Sequence, residues 1–137
     1  MKLLVDSSAL VKRYVLEDGS ENVNHLLSHA SQLGICIILV PEIVSALNRR
    51  LREGILTSNN YRRIKMQLLN DVNDATVLHI TSAVIAHSVK LLERNKLRTL
   101  DALHIACALE WKADVFVTAD RRQLTAAANA GLQTKYI

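Results

Sequence analysis

Proline is nearly missing from the chain, which has Pro41 alone, and glycine is scarce at four among 137 residues. With no stretch rich in Pro, Gly or Ser, there is no linker at which the chain would divide, and no low-complexity segment. Cysteine is limited to Cys36 and Cys107, set singly within "GICIILV" and "LHIACAL". Neither has metal-ligand spacing or a paired framework, so they read as buried thiols in a reducing compartment. Long apolar runs are lacking too. The opening "MKLLV" stops at Asp6, far short of a signal-peptide core, and nothing reaches the length of a membrane span, so a cytoplasmic protein is expected. What remains is one domain's worth of sequence, half of it apolar. Seventeen Lys and Arg against 13 Asp and Glu give a net charge of +4 and a pI near 9.3, a lean toward polyanionic partners such as nucleic acid or a membrane surface.

The hydrophobic pattern alternates between short strands and helices. "KLLV" reads as a strand and "SSALVKRYVLE" as a helix ending at "DGS". "SENVNHLLSHASQLG" reads as a second helix, with Ser20 as its cap and Gly34 at its end, followed by the strand "ICIIL". Pro41 suits the first turn of "PEIVSALNRRLREG", which Gly54 ends. "TSNNYRRIKMQLLNDV" places Tyr61, Ile64, Leu68 and Val72 on one helical face, and "TVLHI" is a short strand after it. "TSAVIAHSVKLLERN" and "TLDALHIACALEWK" each open on a threonine cap. "DVFVTAD" is a strand, "RRQLTAAANAG" a helix with Gly131 just past its end, and "LQTKYI" a last strand. Strands alternating with helices imply an α/β fold with a parallel sheet covered on both faces.

Two strands end in an acid, Asp6 and Asp120, at the carboxyl edge where open parallel sheets bind ligands. Glu42 falls in the first turn after the second strand, and Asp101 in the first turn of "TLDALH". Singly, each has an ordinary explanation, as a helix cap or as a complement to a helix dipole. As a set gathered at one rim they repel each other and lose solvation unless a cation neutralises them. Oxygen donors without Cys or His at ligand spacing point to Mg²⁺ or Mn²⁺, one ion or two, and such a site suits phosphodiester hydrolysis. Basic residues to hold the polyanion cluster in "NRRLR", "YRRIK", "ERNKLR" and "DRR", of which "YRRIK" reads as a solvated helix face. Arg121, next to Asp120, is the substrate-positioning candidate.

In "LLVDSSALVK", "PEIVSALNRR", "LRTLDALHIACAL" and "VFVTADRRQLTAAANAGL", taken in that order, the chain resembles the PIN-domain ribonucleases, in particular the VapC-type toxins of toxin–antitoxin pairs. The resemblance covers nearly all of residues 1–137 as a single PIN-like nuclease domain. It implies a three-layer α/β sandwich with a central, mainly parallel sheet, and a Mg²⁺- or Mn²⁺-dependent endoribonuclease. The family's metal-binding acids fall on Asp6, Glu42, Asp101 and Asp120, and its small hydroxyls on Ser7 and Thr118, which would position water or phosphate. A homodimer and a cognate antitoxin whose C-terminal segment wraps the toxin are implied as well. One departure is Pro41, directly before Glu42, which could shift that acid to act through water. His104, three residues after Asp101 on the same helix face, is read as a packed, hydrogen-bonded neighbour rather than a catalyst. The remaining histidines, His25, His29, His79 and His87, carry no metal signal.

Rival readings fail on particular residues. A phosphotransfer receiver needs paired acids after the first strand and a lysine after the last long one, but serines follow Asp6 and arginines follow Asp120. A haloacid-type phosphatase needs an acid where Ser8 stands. A catalytically silent binding module would be expected to have lost some of the four acids. A PIN nuclease processing RNA outside any toxin–antitoxin pair is the remaining alternative, and a neighbouring antitoxin gene would separate the two. Which RNA is cut is not written in the sequence.

Overall fold

Side-chain alternation along the strands decides how this molecule is layered. The computed structural model describes all of residues 1–137. Its strands are β1 (Lys2–Val5), β2 (Gln32–Cys36), β3 (Thr76–Leu78), β4 (Val115–Thr118) and β5 (Gln133–Tyr136). All pair in parallel, in the order β3-β2-β1-β4-β5. The helices are α1 (Ser7–Leu10), α2 (Ser20–Ser28), α3 (Leu39–Arg52), α4 (Ser58–Asp74), α5 (Ser82–Arg94), α6 (Thr99–Trp111) and α7 (Arg121–Asn129). Leu3, Val5, Ile35 and Val117 point to one face of the sheet, where they pack with Leu39, Ile43 and Leu47 of α3 and Ile64 and Leu68 of α4. Leu4, Cys36 and Phe116 point to the other and pack with α5, α6 and α7. The expected three-layer α/β sandwich is therefore present, and its sheet is wholly parallel.

From β1 the chain winds outward through β2 and β3, then returns to the other side of β1 to lay down β4 and β5. That reversal opens a crevice beyond the carboxyl ends of β1 and β4. Helix α6 bounds it. Residues Asp101 to Ala108 are all buried, as expected of a helix whose apolar residues run around its whole circumference.

Several boundaries differ from the sequence reading, each for a local reason. Helix α1 is one turn long and continues only as a 3₁₀ turn over Val11–Arg13, after which the buried Tyr14 donates its hydroxyl to Asp71 at 2.7 Å. Gly34 does not end α2, which stops at Ser28, but lies inside β2. The Trp111 ring explains this, because a Cβ on Gly34 would stand 2.5 Å from it. Strand β2 accordingly starts and ends earlier than "ICIIL", and α3 begins at Leu39 with Pro41 still in its first turn, where a missing N–H costs no helical bond. Gly19, at φ +95°, caps α2 in place of Ser20. Thr81 caps α5 through the Val84 N–H at 3.2 Å, whereas Thr99 is the first residue of α6 and not its cap. Both cysteines are free and buried. No helix is long and apolar enough to cross a membrane.

Candidate active site

Asp6 follows β1 directly and caps α1, so the capping reading and the site reading hold for the same residue. Its Oδ1 accepts the Ala9 N–H at 3.0 Å and the Ser8 hydroxyl at 2.7 Å, and its Oδ2 accepts the Thr118 hydroxyl at 2.6 Å. The side chain has no exposure. Three donors occupy three of the roughly four acceptor positions of a carboxylate, leaving one free. Burial raises the Asp6 pKa, and the charge of His104 and the three hydrogen bonds offset this only in part.

Glu42, in the first turn of α3, accepts the Ser7 hydroxyl at 2.7 Å and lies 2.5 Å from His104 Nε2. Burial pushes its pKa up, but the hydrogen bonds from His104 and Ser7 and the charges of His104 and Arg98 outweigh that and lower it. For His104, 1% exposed, burial works downward and is outweighed by the Glu42 hydrogen bond and by the charges of Asp6 and Glu42, so its pKa rises. The two form an ion pair whose histidine is buried and whose glutamate is partly exposed.

Asp101 sits at the start of α6, where Gln123 Nε2 donates to its Oδ1 at 3.1 Å and Arg98 Nε lies 3.6 Å from its Oδ2. Arg98 is largely exposed, so this contact is weak and easily exchanged. Asp120 caps α7, its Oδ1 accepting the Arg122 N–H at 2.8 Å and the Gln123 N–H at 3.2 Å. Thr118 joins the first and last acids: while donating to Asp6, its hydroxyl accepts the Asp120 N–H at 3.0 Å.

Two adjoining clefts run over these residues. Glu42 and Asp101 line one of about 590 Å³ together with Arg49 and Arg98. Asp101, Arg98 and Asp120 line the other, of about 520 Å³, with Arg121, Arg122 and Tyr136. Asp101 and Arg98 belong to both, while Asp6 lies sealed beneath. Glu42 is thus brought to Asp101, and Asp101 to Asp120. The structure does not gather three acids into one ion-holding group, since Glu42 and Asp120 lie in different clefts and Asp6 beneath both. Mg²⁺ does not require such a cage. It commonly keeps several waters and takes one or two carboxylates together with substrate phosphate, so the all-oxygen pairs of Asp101 with Glu42 and of Asp101 with Asp120 fit it.

Of the two hydroxyls, the fully buried Thr118 donates to Asp6 and the half-buried Ser7 donates to Glu42, so each holds a carboxylate in place. Arg121 is exposed at the rim, its guanidinium 4.4 Å from the Tyr136 ring centroid. The basic groups divide as their positions dictate: Arg49, Arg98, Arg121 and Arg122 line the clefts, whereas Arg62, Arg63 and Lys65 form the exposed face of α4. Sequence reasoning missed Ser8 and Gln123. Ser8 also accepts the Ala119 N–H at 2.9 Å and so ties the end of β1 to the end of β4. Gln123 had a signal, since it stands three residues after the cap Asp120, as in a capping box. Its side chain turns to Asp101 instead of closing the box.

The family model of the PIN domain matches residues 3–129. The chain belongs to the PIN-domain family. Among its relatives is the ribonuclease VapC3 of Pyrobaculum aerophilum, 27% identical over 108 residues that cover 79% of this chain and 82% of the relative. The fold is shared with Mycobacterium tuberculosis VapC20, described as a sarcin-ricin loop cleaving toxin, at a TM-score of 0.71, 15% identity and 95% coverage of each chain. It is shared also with the DNA-bound VapBC of Salmonella typhimurium, at a TM-score of 0.72 and 13% identity, covering 99% of this chain and 98% of that one. In both, the shared fold spans nearly the whole chain.

Proposed function

We propose that the protein is a Mg²⁺- or Mn²⁺-dependent endoribonuclease serving as the toxin of a cytoplasmic VapBC-type toxin–antitoxin pair. The observation that carries the reading is Asp101, buried at the crevice and common to two clefts that also hold Glu42, Asp120 and four arginines. Acids alone at this edge would repel a phosphodiester, and arginines alone would bind it without cutting it. Interleaved, they let a cation and a polyanion share one groove.

Asp101, common to the two clefts, would hold the ion together with Glu42 or Asp120, and Asp6 beneath them would act on it through water. When bound, Mg²⁺ or Mn²⁺ would supply Lewis acidity to the phosphodiester and make an attacking water more acidic. Ser7 and His104 hold Glu42 in place, while Thr118 and Ser8 hold Asp6. Arg49, Arg98, Arg121 and Arg122 would take the RNA phosphates, Arg98 exchanging its loose contact with Asp101 for one with substrate. VapC3, named a ribonuclease, and the VapBC complexes among the structural neighbours support the RNA substrate and an antitoxin partner. A second copy of the chain would complete a homodimer.

Incubation of the purified protein with RNA and Mn²⁺ tests the reading. Cleavage is expected, with loss of it in excess chelator and in Asp6→Asn and Asp101→Asn. Cleavage that survives both substitutions or chelation would overturn the mechanism, and RNA bound but never cut would mark a silent module. Co-expression with the neighbouring reading frame, followed by the mass of the purified complex, tests the antitoxin and the homodimer. A monomer that co-purifies with nothing counts against both.

A further inference from the structure

Five aromatic side chains serve the whole protein, and four are committed to its interior packing. Phe116 and Tyr14 are buried, Trp111 packs over Gly34, and the half-buried Tyr61 meets Asn48 at 3.0 Å. Tyr136 alone is exposed, at 39%, and it lines the cleft that holds Asp101 and Asp120.

Backbone pairing fixes its place. Tyr136 is the register partner of Thr118 in the β4–β5 ladder, and the Ile137 N–H donates to the Thr118 carbonyl at 3.0 Å. Paired residues on neighbouring strands point to the same face, so Tyr136 stands one strand, about 4.8 Å, from the residue whose hydroxyl holds Asp6. Arg121, the first residue of α7, lays its guanidinium over the ring at 4.4 Å. The remaining charged lining of the cleft is Arg98 and Arg122 on one side of the balance and Asp101 and Asp120 on the other.

We propose that Tyr136, backed by Arg121, is a stacking platform for one unpaired base of the RNA, beside the acids that act on its backbone. The proposal rests on the ribonuclease reading and adds the element that selects single-stranded substrate. An apolar partner covering the ring would desolvate three arginines and two acids, whereas a nucleotide places a flat ring and a phosphate within reach of the tyrosine and the arginines together. Stacking on an Arg-backed ring uses the cation–π arrangement already formed. Bases inside a duplex are not available to it, so the platform favours loops, bulges and single strands.

The test uses a short fluorescent single-stranded oligoribonucleotide. Its affinity is read by anisotropy in excess chelator, where nothing is cut, and its KM and kcat are read in Mn²⁺. Tyr136→Ala is expected to weaken affinity and raise KM by about 5- to 150-fold, the range of one base–aromatic stack, with the loss falling on KM more than on kcat. Tyr136→Phe and Tyr136→Trp keep an aromatic face and are expected to restore binding. A strand with abasic positions should bind wild type and Tyr136→Ala alike. Wild-type affinity in Tyr136→Ala, or a Tyr136→Phe as defective as Tyr136→Ala, overturns the platform while leaving the ribonuclease reading intact. A wild type that neither binds nor cuts RNA overturns both.

Discussion

His104 Nε2 lies 2.5 Å from Glu42 Oε1, and the histidine is sealed in the core while the glutamate faces a cleft. This pair couples packing to the site. Truncating His104 would remove a buried ring from α6 and leave Glu42 with only Ser7 and the distant charge of Arg98. His104→Ala is expected to cost about 3 kcal/mol, chiefly through the cavity, with a smaller loss at the partly exposed Glu42. His104→Gln, which keeps a donor, should cost less. Guanidinium unfolding midpoints of the three proteins measure this, and equal losses in the two variants would show that a donor to Glu42 at this position contributes nothing.

Neutralising an acid at the crevice should separate stability from activity. Asp6→Asn retains an oxygen for Ser8 and Ala9, and the Thr118 hydroxyl can reverse to accept from the new amide. With a buried charge gone, the melting temperature without metal should be equal to or above that of wild type. Mn²⁺ should raise the wild-type melting temperature, by an amount equivalent to about 2.7 kcal/mol at a hundredfold excess over its Kd. The same addition should leave Asp101→Asn unmoved. Equal metal-induced shifts in wild type and Asp101→Asn would remove Asp101 from the ligand set.

Gln123 gives the sharpest case of a residue that serves the site more than the fold. Its Nε2 donates to Asp101, while its Oε1 is buried with no partner. In Gln123→Leu the orphaned acceptor disappears along with the hydrogen bond, so the stability change should stay within about 1 kcal/mol. Metal affinity, read by calorimetry with Mn²⁺, should fall by about 10- to 100-fold, as for other groups that orient a ligand. Unchanged affinity would make Gln123 a packing residue only.

Much of this was legible in the chain because strands and helices write their own periods. Asp6, Glu42, Asp101 and Asp120 could be assigned to one edge from strand ends and first turns alone, and the structure places them at the ends of β1 and β4 and the starts of α3 and α6. What was not legible depends on side chains meeting from far apart in sequence. Gly34 looked like a helix end because glycine often is one, and only the Trp111 ring 77 positions away explains it. Ser7 and Ser8 were indistinguishable as letters, yet one serves Glu42 and the other Asp6. Gln123 carried a capping-box spacing whose side chain found a buried carboxylate instead.

The Gly34 contact is itself testable. A Cβ there would meet the Trp111 ring at 2.5 Å, in the middle of a central strand. Gly34→Ala is expected to destabilise by about 1–3 kcal/mol through overpacking, although alanine favours a strand backbone no less than glycine does. Trp111 is the chain's only tryptophan, so its fluorescence reports the displacement directly. A variant as stable as wild type with an unchanged emission maximum would show that the ring moves freely.

Alkaline pH tests the packing beneath the helices of the opposite face. Burial, and then the hydrogen bond and charge of Asp71, raise the Tyr14 pKa well above its ordinary value of 10.0, with Arg13 opposing. The folded state therefore keeps a proton that the unfolded chain releases. This contribution to stability is intact below pH 10.0 and lost as pH rises beyond it. Tyr14→Phe loses the bond to Asp71, which keeps both contacts to Arg13 at 2.8 and 3.2 Å. At about pH 8 the variant should be less stable by about 1 kcal/mol. At about pH 11 the gap should close, because only wild type carries a phenol whose ionisation favours the unfolded chain. Urea midpoints at the two pH values decide it, and a gap that stays constant would mean that Tyr14 ionises alike in both states.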